Sequence, residues 1–303
     1  MRLKKLSEYR RTDLASECRT TEREHDGKSD DKGINFSEYE KSGFNICELD
    51  VTTAEAASAI GKKCGKYITV DVGRLWHETD ERVAACSELI SGIIGSMISE
   101  LCPERHSLSY LIAGLGNRYI TSDAIGHETL REIVVTRHIK NADPKLYSML
   151  GNISVAAIAP GVTGQTGIET LEVIRQTVDT VKPDLLIAID ALAACELSHL
   201  ATTVQITNAG IAPGSGIGNR RDSIDRESVG CPVIIVGVPT VVESSALVYD
   251  ALYKAGIEAD SLDPKLHEIL ENGRGFFVTP KESDIVLIEL SKLLANAINS
   301  ALI

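Results

Sequence analysis

Two acidic residues stand where buried chain meets turns, and their type and placement suit one kind of chemistry. Leu185-Leu186-Ile187-Ala188-Ile189 is a continuous apolar run after Pro183-Asp184 and ends on Asp190. Such a run marks a strand covered on both faces, because a parallel strand between helices has no solvent side with which to alternate. Ser109-Tyr110-Leu111-Ile112-Ala113 has the same form, leads into Gly114-Leu115-Gly116-Asn117, and is followed by Asp123 at the start of a helical pattern. Ligands of open α/β sheets gather beyond the carboxyl ends of the strands. A carboxylate held there between apolar walls is hard to ionise. A second carboxylate beside it makes one of the two harder still, so the pair shares a proton and can activate water. The competing roles are structural: Asp190 as cap of a helix that follows it, and Asp123, after Thr121-Ser122, as an N-cap or first-turn acid.

Other residue groups offer weaker chemistry. Gly161-x-x-Gly164-x-x-Gly167 opens an expected helix, so its backbone N–H groups can face an anion, and with Asn117 it is the candidate oxyanion or substrate loop. It is no P-loop, since no Gly-Lys-Ser/Thr follows, and Gly214-Ser215-Gly216-Ile217-Gly218 departs from the dinucleotide pattern. Cys195 and His199, four apart on the helix expected after Asp190, have the spacing of a thiol and its base, although a helical cysteine usually packs. His127-Glu128 lacks the second histidine of a zinc helix, and Ser215 lacks the context of a hydrolase elbow. We expect no cofactor and no metal.

These residues need elements to hold them. The pattern predicts strands over 44–51, 67–72, 153–159, 203–207, 231–237 and 276–278 beside the two already described. Helices are expected over an Ala-rich stretch begun by Thr52-x-x-Glu55 and ended near Gly61, over 80–100, over 123–139, and over 167–181 with Thr166 and Glu169 at capping-box spacing. A last one starts from Thr279-Pro280-Lys281-Glu282. Residues 19–43 are charged, polar and glycine-containing and read as a loop or mobile linker. Strands alternating with helices give an α/β fold: a mostly parallel (mixed) sheet covered by helices on both faces.

The chain of 303 residues is 43% hydrophobic and can bury a full core. The seven cysteines are scattered without a C-x-x-C pair, which suits a reducing cytosol. No secretion signal and no membrane span is expected. The formal charge of −12 argues against a nucleic-acid partner. Residues 1–13 nevertheless hold five basic side chains against two acidic ones, a net +3 that leaves −15 for the rest.

Taken together, several stretches resemble the germination proteases of spore-forming bacteria. They are Arg11-Thr12-Asp13-Leu14-Ala15, Gly61-Lys62-Lys63, Gly114-Leu115-Gly116-Asn117 with Asp123-Ala124, Thr136-Arg137-His138, and Pro160-Gly161-Val162. The match continues through Thr166-Gly167-Ile168-Glu169-Thr170, Ile187 to Ala194, Pro213-Gly214-Ser215-Gly216, and Gly237-Val238-Pro239-Thr240. The resemblance implies an endopeptidase that cuts the small acid-soluble proteins coating spore DNA, cytoplasmic in the forespore and spore core. It also implies an inactive precursor, a homotetramer, and a three-layer phosphorylase/hydrolase-like fold shared with hydrogenase-maturation endopeptidases. Its catalytic aspartates fall on Asp123 and Asp190. Family substrates are cut after the acid in Thr-Glu-Phe/Ile-Ala-Ser-Glu, and Thr12-Asp13-Leu14-Ala15-Ser16-Glu17 imitates that sequence. Self-cleavage is therefore expected between Asp13 and Leu14, dividing a basic propeptide, 1–13, from a single catalytic domain, 14–303. Two alternatives stay open: a metal-dependent maturation-type endopeptidase that adds a histidine such as His127, and a non-enzymatic nucleotide- or anion-binding protein.

Overall fold

The computed structural model describes residues 12–18, 33–103, 108–214, 222–257, 262–272 and 275–302. Among them, one sheet contains β1 (Ile34–Lys41), β2 (Phe44–Val51), β3 (Gly65–Asp71), β4 (Ser109–Gly114), β5 (Ser154–Ile158), β6 (Leu185–Ala194), β7 (Thr203–Thr207), β8 (Val233–Glu243) and β9 (Phe277–Val278). The spatial order is β1-β2-β3-β7-β8-β6-β4-β5, with β9 on β8. From β5 to β8 the pairings are parallel, and from β8 through β7 to β1 they are antiparallel. The helices that matter to the site are α1 (Ala54–Ile60), α2 (Asp80–Leu101), α3 (Ile125–Leu130), α4 (Thr170–Val181), α5 (Ser244–Lys254) and α6 (Ser283–Leu302).

Alternate residues of β6 serve two cores, which is why its sequence is apolar without a break. Ile187 and Ile189 pack with Ile90, Ile94 and Met97 of α2 and with Leu290, Leu294 and Ile298 of α6. Leu186 and Ala188 pack on the opposite face with Ile174 and Val178 of α4. Each such side chain contributes about 1.5–3 kcal/mol on leaving water. By length and composition α2 and α6 could also span a membrane; here they pack against one another and the sheet.

The second face is covered at one end by α1, which packs with Leu49, Val51 and Tyr67 of β2 and β3, and at the other by α4. Between these, the cover over β7 and the ends of β6 and β8 comes from residues 12–18. Leu14 sits with Leu192, Ala194 and Val242, and Ala15 joins the α1 cluster; both are wholly buried.

Several local expectations are corrected. Residues 34–41, read as part of a mobile linker, form the antiparallel edge strand β1, because pairing along all of β2 outweighs a polar composition; the rest of that stretch, 19–32, lies outside the described residues, as do 1–11 and Ser215 to Arg221. α1 is capped by Thr53 rather than Thr52, its hydroxyl accepting from the Ala56 N–H at 3.2 Å. The helix expected over 123–139 is broken into a turn at Thr121–Asp123, the short α3 and further turns. α4 starts three residues late, with Glu169 and Glu172 forming the capping box assigned to Thr166 and Glu169. The last helix begins at Ser283. α5 was not foreseen. The largest change concerns β6, which does not stop at Asp190 but runs on to Ala194. Asp190 is thus mid-strand and caps no helix, Cys195 follows the end of the strand, and His199 closes a short 3-10 turn, Leu197–His199.

Candidate active site

A cavity of about 380 Å³ opens at the carboxyl ends of β4 and β6, lined among others by Asp13, Asn117, Asp123, Gly164, Asp190 and Thr240. The two aspartates singled out from sequence therefore share one cleft, although 67 positions separate Asp123 from Asp190 along the chain. Asp190 is 4% exposed, and its Oδ1 accepts the Ala191 N–H at 3.0 Å. Asp123 comes from the turn between β4 and α3. The Asn117 N–H donates to its Oδ2 at 2.9 Å, and the Thr240 hydroxyl of β8 donates to the carbonyl of the preceding Ser122.

Glycines let these pieces approach. A Cβ at Gly114 would lie 2.3 Å from the Gly126 carbonyl oxygen, and one at Gly126 only 2.5 Å from Leu115 N and 2.6 Å from Ile189 O. Helix α3 thus rests backbone-to-backbone on the sheet beside Asp190. Gly116, at φ +92°, is needed for a second reason: its Cβ would meet the Asp123 carbonyl at 2.1 Å. The Gly114–Asn117 loop is accordingly built to seat Asp123. Asn117 Oδ1 accepts from Tyr119 N and from Gln165 Nε2, and Gly164 lines the cavity while Gly161 holds a left-handed turn at φ +74° nearby.

The segment Thr12–Glu17 enters this cleft as a strap. Asp13 pairs with Ala193 at the end of β6, N–H to carbonyl at 2.7 Å and carboxylate to N–H at 2.9 Å. Glu17 is 1% exposed; its carboxylate accepts from Cys195 N at 2.9 Å, Glu196 N at 3.0 Å and the Thr12 hydroxyl, and meets His199 Nδ1 at 2.8 Å. The thiol-and-base reading of Cys195 and His199 gives way to this arrangement, in which the histidine serves a buried carboxylate.

Charge pairing sets the pH behaviour of the strap. Burial pushes the Glu17 carboxyl up, but His199, Thr12 and the backbone N–H outweigh it, so it ends below its ordinary 4.5. Burial pushes His199 down, and Glu17 outweighs it, so the imidazole ends above 6.5. The stabilisation from His199 is complete below pH 6.5 and lost as pH rises through its raised value. That from Glu17 is present above pH 4.5 and lost as pH falls through its lowered value. His127, half-buried on α3, shifts the other way: burial holds it below 6.5 against the opposing Gly116 backbone hydrogen bond. Histidine NMR titration should therefore find His199 titrating above 6.5 and His127 below it, and hydrogen exchange of residues 12–18 should quicken as His199 loses its proton. The reverse order of the two histidines would refute the assignment.

Glu17, Cys195 and Glu196 also converge closely enough to face one ion. The Glu17 oxygens are already engaged by N–H groups and His199, and Glu196 pairs with Lys254 at 2.9 Å, so both carboxylates of the set have protein partners.

The model of the germination protease family, Peptidase_A25, matches residues 11–254. A germination protease of Caldanaerobacter subterraneus is 38% identical, the alignment covering 96% of this chain and 94% of that one. One from Clostridium perfringens is 36% identical over the same shares, and one from Priestia megaterium 33% identical over 98% and 95%. The chain belongs to the germination protease family. It is therefore a peptidase, and the non-enzymatic reading falls. Among solved structures, a NiFe hydrogenase maturation protease HycI from Thermococcus kodakarensis KOD1 is similar, at 16% identity and a TM-score of 0.36, covering 67% of this chain and 98% of that one.

Local pattern gave no role to Gly126 or Thr240, nor to Lys62 and Gln205, which hydrogen-bond the Asp13 carbonyl, and it left His199 with the wrong partner. Lys62 and Thr240 stand in stretches that carry the family resemblance, and Gln205 had a signal of its own: Thr203, Gln205 and Thr207 alternate with Val204 and Ile206, marking one polar face of β7.

Proposed function

We propose that this chain is a self-processing endopeptidase of the spore core whose water is activated between Asp123 and Asp190, and whose substrates are the small acid-soluble proteins that coat spore DNA. The observation that carries this reading is the strap. Thr12-Asp13-Leu14-Ala15-Ser16-Glu17, which imitates the sequence cut in family substrates, lies with Asp13 lining the same cleft as both aspartates. In the proposed reaction one aspartate, ionised, takes a proton from water as the water attacks the Asp13 carbonyl carbon; the other, protonated, gives one to the departing Leu14 nitrogen. Which acid does which belongs to the pair rather than to either residue.

Cleavage at Asp13 cuts the tie that holds the strap across the cleft, so residues 1–13 leave and 14–17, tethered on one side only, can withdraw to admit other chains. Exposed apolar side chains on α6 (Ile285, Ile288) and on 134–149 (Val134, Leu146, Met149) support self-association, which we propose is the homotetramer.

The test uses mass spectrometry on the incubated full chain and on a peptide containing Thr-Glu-Phe-Ala-Ser-Glu. A new N-terminus at Leu14, and peptide cut after its first Glu, are the expected results, with chain begun at Leu14 cutting faster than full-length chain. Cleavage elsewhere, or no gain on removing residues 1–13, would overturn the reading. Activity abolished by strong chelators would favour the metal-dependent alternative.

A further inference from the structure

The Asp13 carbonyl, which the proposed function makes the target of water, is held by two side chains that line a second cavity rather than that of the aspartates. Lys62 Nζ donates to it at 2.9 Å and Gln205 Nε2 at 3.3 Å. Register explains the second contact. Gln205 of β7 and Asp190 of β6 both pair with Gly237 of β8, so the two side chains rise from one face of the sheet in a single row with a glycine between them. Gln205 also spans the bond to be cut: its Oε1 accepts the Ala15 N–H at 2.8 Å. Lys62 reaches the carbonyl because α1 ends in a left-handed turn at Gly61, φ 67°, after which the Lys62 N–H returns to the Ala57 carbonyl at 3.0 Å. The next residue is pinned by Tyr67, whose hydroxyl donates to the Lys63 carbonyl at 2.9 Å. The second cavity has a volume of about 270 Å³; Asp13 and Leu192 line both cavities, while Lys62, Gln205 and Gly237 line only the second.

We propose that Lys62 and Gln205 are catalytic residues that hold the oxyanion formed at this carbonyl, in self-cleavage and in a bound substrate alike. The inference rests on reading Asp13–Leu14 as the bond that is cut. Water adds to the Asp13 carbonyl carbon from the aspartate side, and the C=O electron pair moves onto oxygen, facing the Lys62 ammonium and the Gln205 amide. Collapse restores the carbonyl, breaks the bond to Leu14 nitrogen, which takes a proton, and leaves an Asp13 carboxylate and a Leu14 amine. A cation and an N–H donor fixed before reaction stabilise such an oxygen more than the neutral carbonyl, and so act on the barrier. Lys62 and Gln205 thereby take the oxyanion role expected of Asn117 and the Gly161–Gly164 loop, of which Asn117 bonds to Asp123 and Gly164 lines the cavity of the aspartates.

The test follows release of the Leu14 N-terminus in full-length native chain, Lys62→Met, Lys62→Arg and Gln205→Ala, and measures kcat and KM for the hexapeptide-containing substrate on the same variants begun at Leu14, so that slow self-processing is not scored as slow catalysis. Lys62→Met should lose about 10²–10³-fold in kcat, the usual effect of removing one oxyanion donor, with KM little changed. Lys62→Arg should recover part of the loss, and Gln205→Ala should show a smaller fall. If Lys62→Met slows self-cleavage but leaves kcat on the peptide unchanged, the lysine only seats the strap and the assignment is wrong. If the native chain itself cuts neither bond, the Asp13–Leu14 reading fails and this inference fails with it. Thermal melting of each variant separates loss of fold from loss of chemistry.

Discussion

Asp190→Asn is expected to lower cleavage of the peptide, and release of the leader, by about 10²–10⁴-fold, the range typical of losing a positioned acid or base. The substitution is nearly isosteric, and an asparagine oxygen can still accept the Ala191 N–H that Asp190 now accepts at 3.0 Å. It cannot exchange a proton with water. Because the site is 4% exposed, the neutral amide removes a carboxyl that is costly to bury, so the melting temperature should hold or rise. Asp123→Asn should behave likewise, since the Asn117 N–H can bond to the new amide oxygen. Combining the two should cost little more than either alone, as expected of groups that act as one unit. Near-native rates in either single variant would remove that aspartate from the chemistry.

The second large effect is expected at a residue that has no side chain at all. Gly126→Ala places a methyl 2.5–2.6 Å from Leu115 N, Leu115 O and Ile189 O, all of them backbone atoms of the sheet and its β4 loop. Overpacking of this kind costs about 1–3 kcal/mol or more, against a gain of about 1 kcal/mol from helix propensity. To relieve it α3 must lift, and Asp123 precedes α3 by only two residues. A displacement of about 1 Å is enough to cost about 10²-fold in rate. The control is Gly95→Ala in α2, where nothing lies within 4 Å of the new methyl and stability should hold or improve. Melting curves and peptide rates for the two variants test the argument together. Equal behaviour would show that the close approach of α3 to the sheet is not required.

Much of this protein was legible from local pattern. β6 announces itself because both of its faces are buried, so its apolar residues run on without alternation; the same holds for the start of β8. Asp190 and Asp123 were legible for the complementary reason: an acid beside buried strand stands out where everything around it is apolar. The strap was legible only by its likeness to a substrate, since Thr12 to Glu17 has no periodicity of its own. Its burial was not legible at all, because a short polar-apolar stretch near a charged terminus reads as solvated tail.

What the sequence by itself determined is the set of elements with one strong pattern each: the double-faced strands, the amphipathic α2 and α6, and the presence of two acids beside the parallel core. What only the tertiary structure decided is which residues meet. Lys62 and Gln205 come from a helix end and a strand, and they meet at one carbonyl, with Asp190 in the same row of the sheet as Gln205, because β8 sets the register of β7 and β6 and a left-handed glycine turns the end of α1 toward them. His199 finds Glu17 rather than Cys195 because β6 extends past Asp190. Such meetings depend on strand register and on the close approach of backbones. Both arise from pairing across long sequence separations, which leaves little trace in any local window of residues.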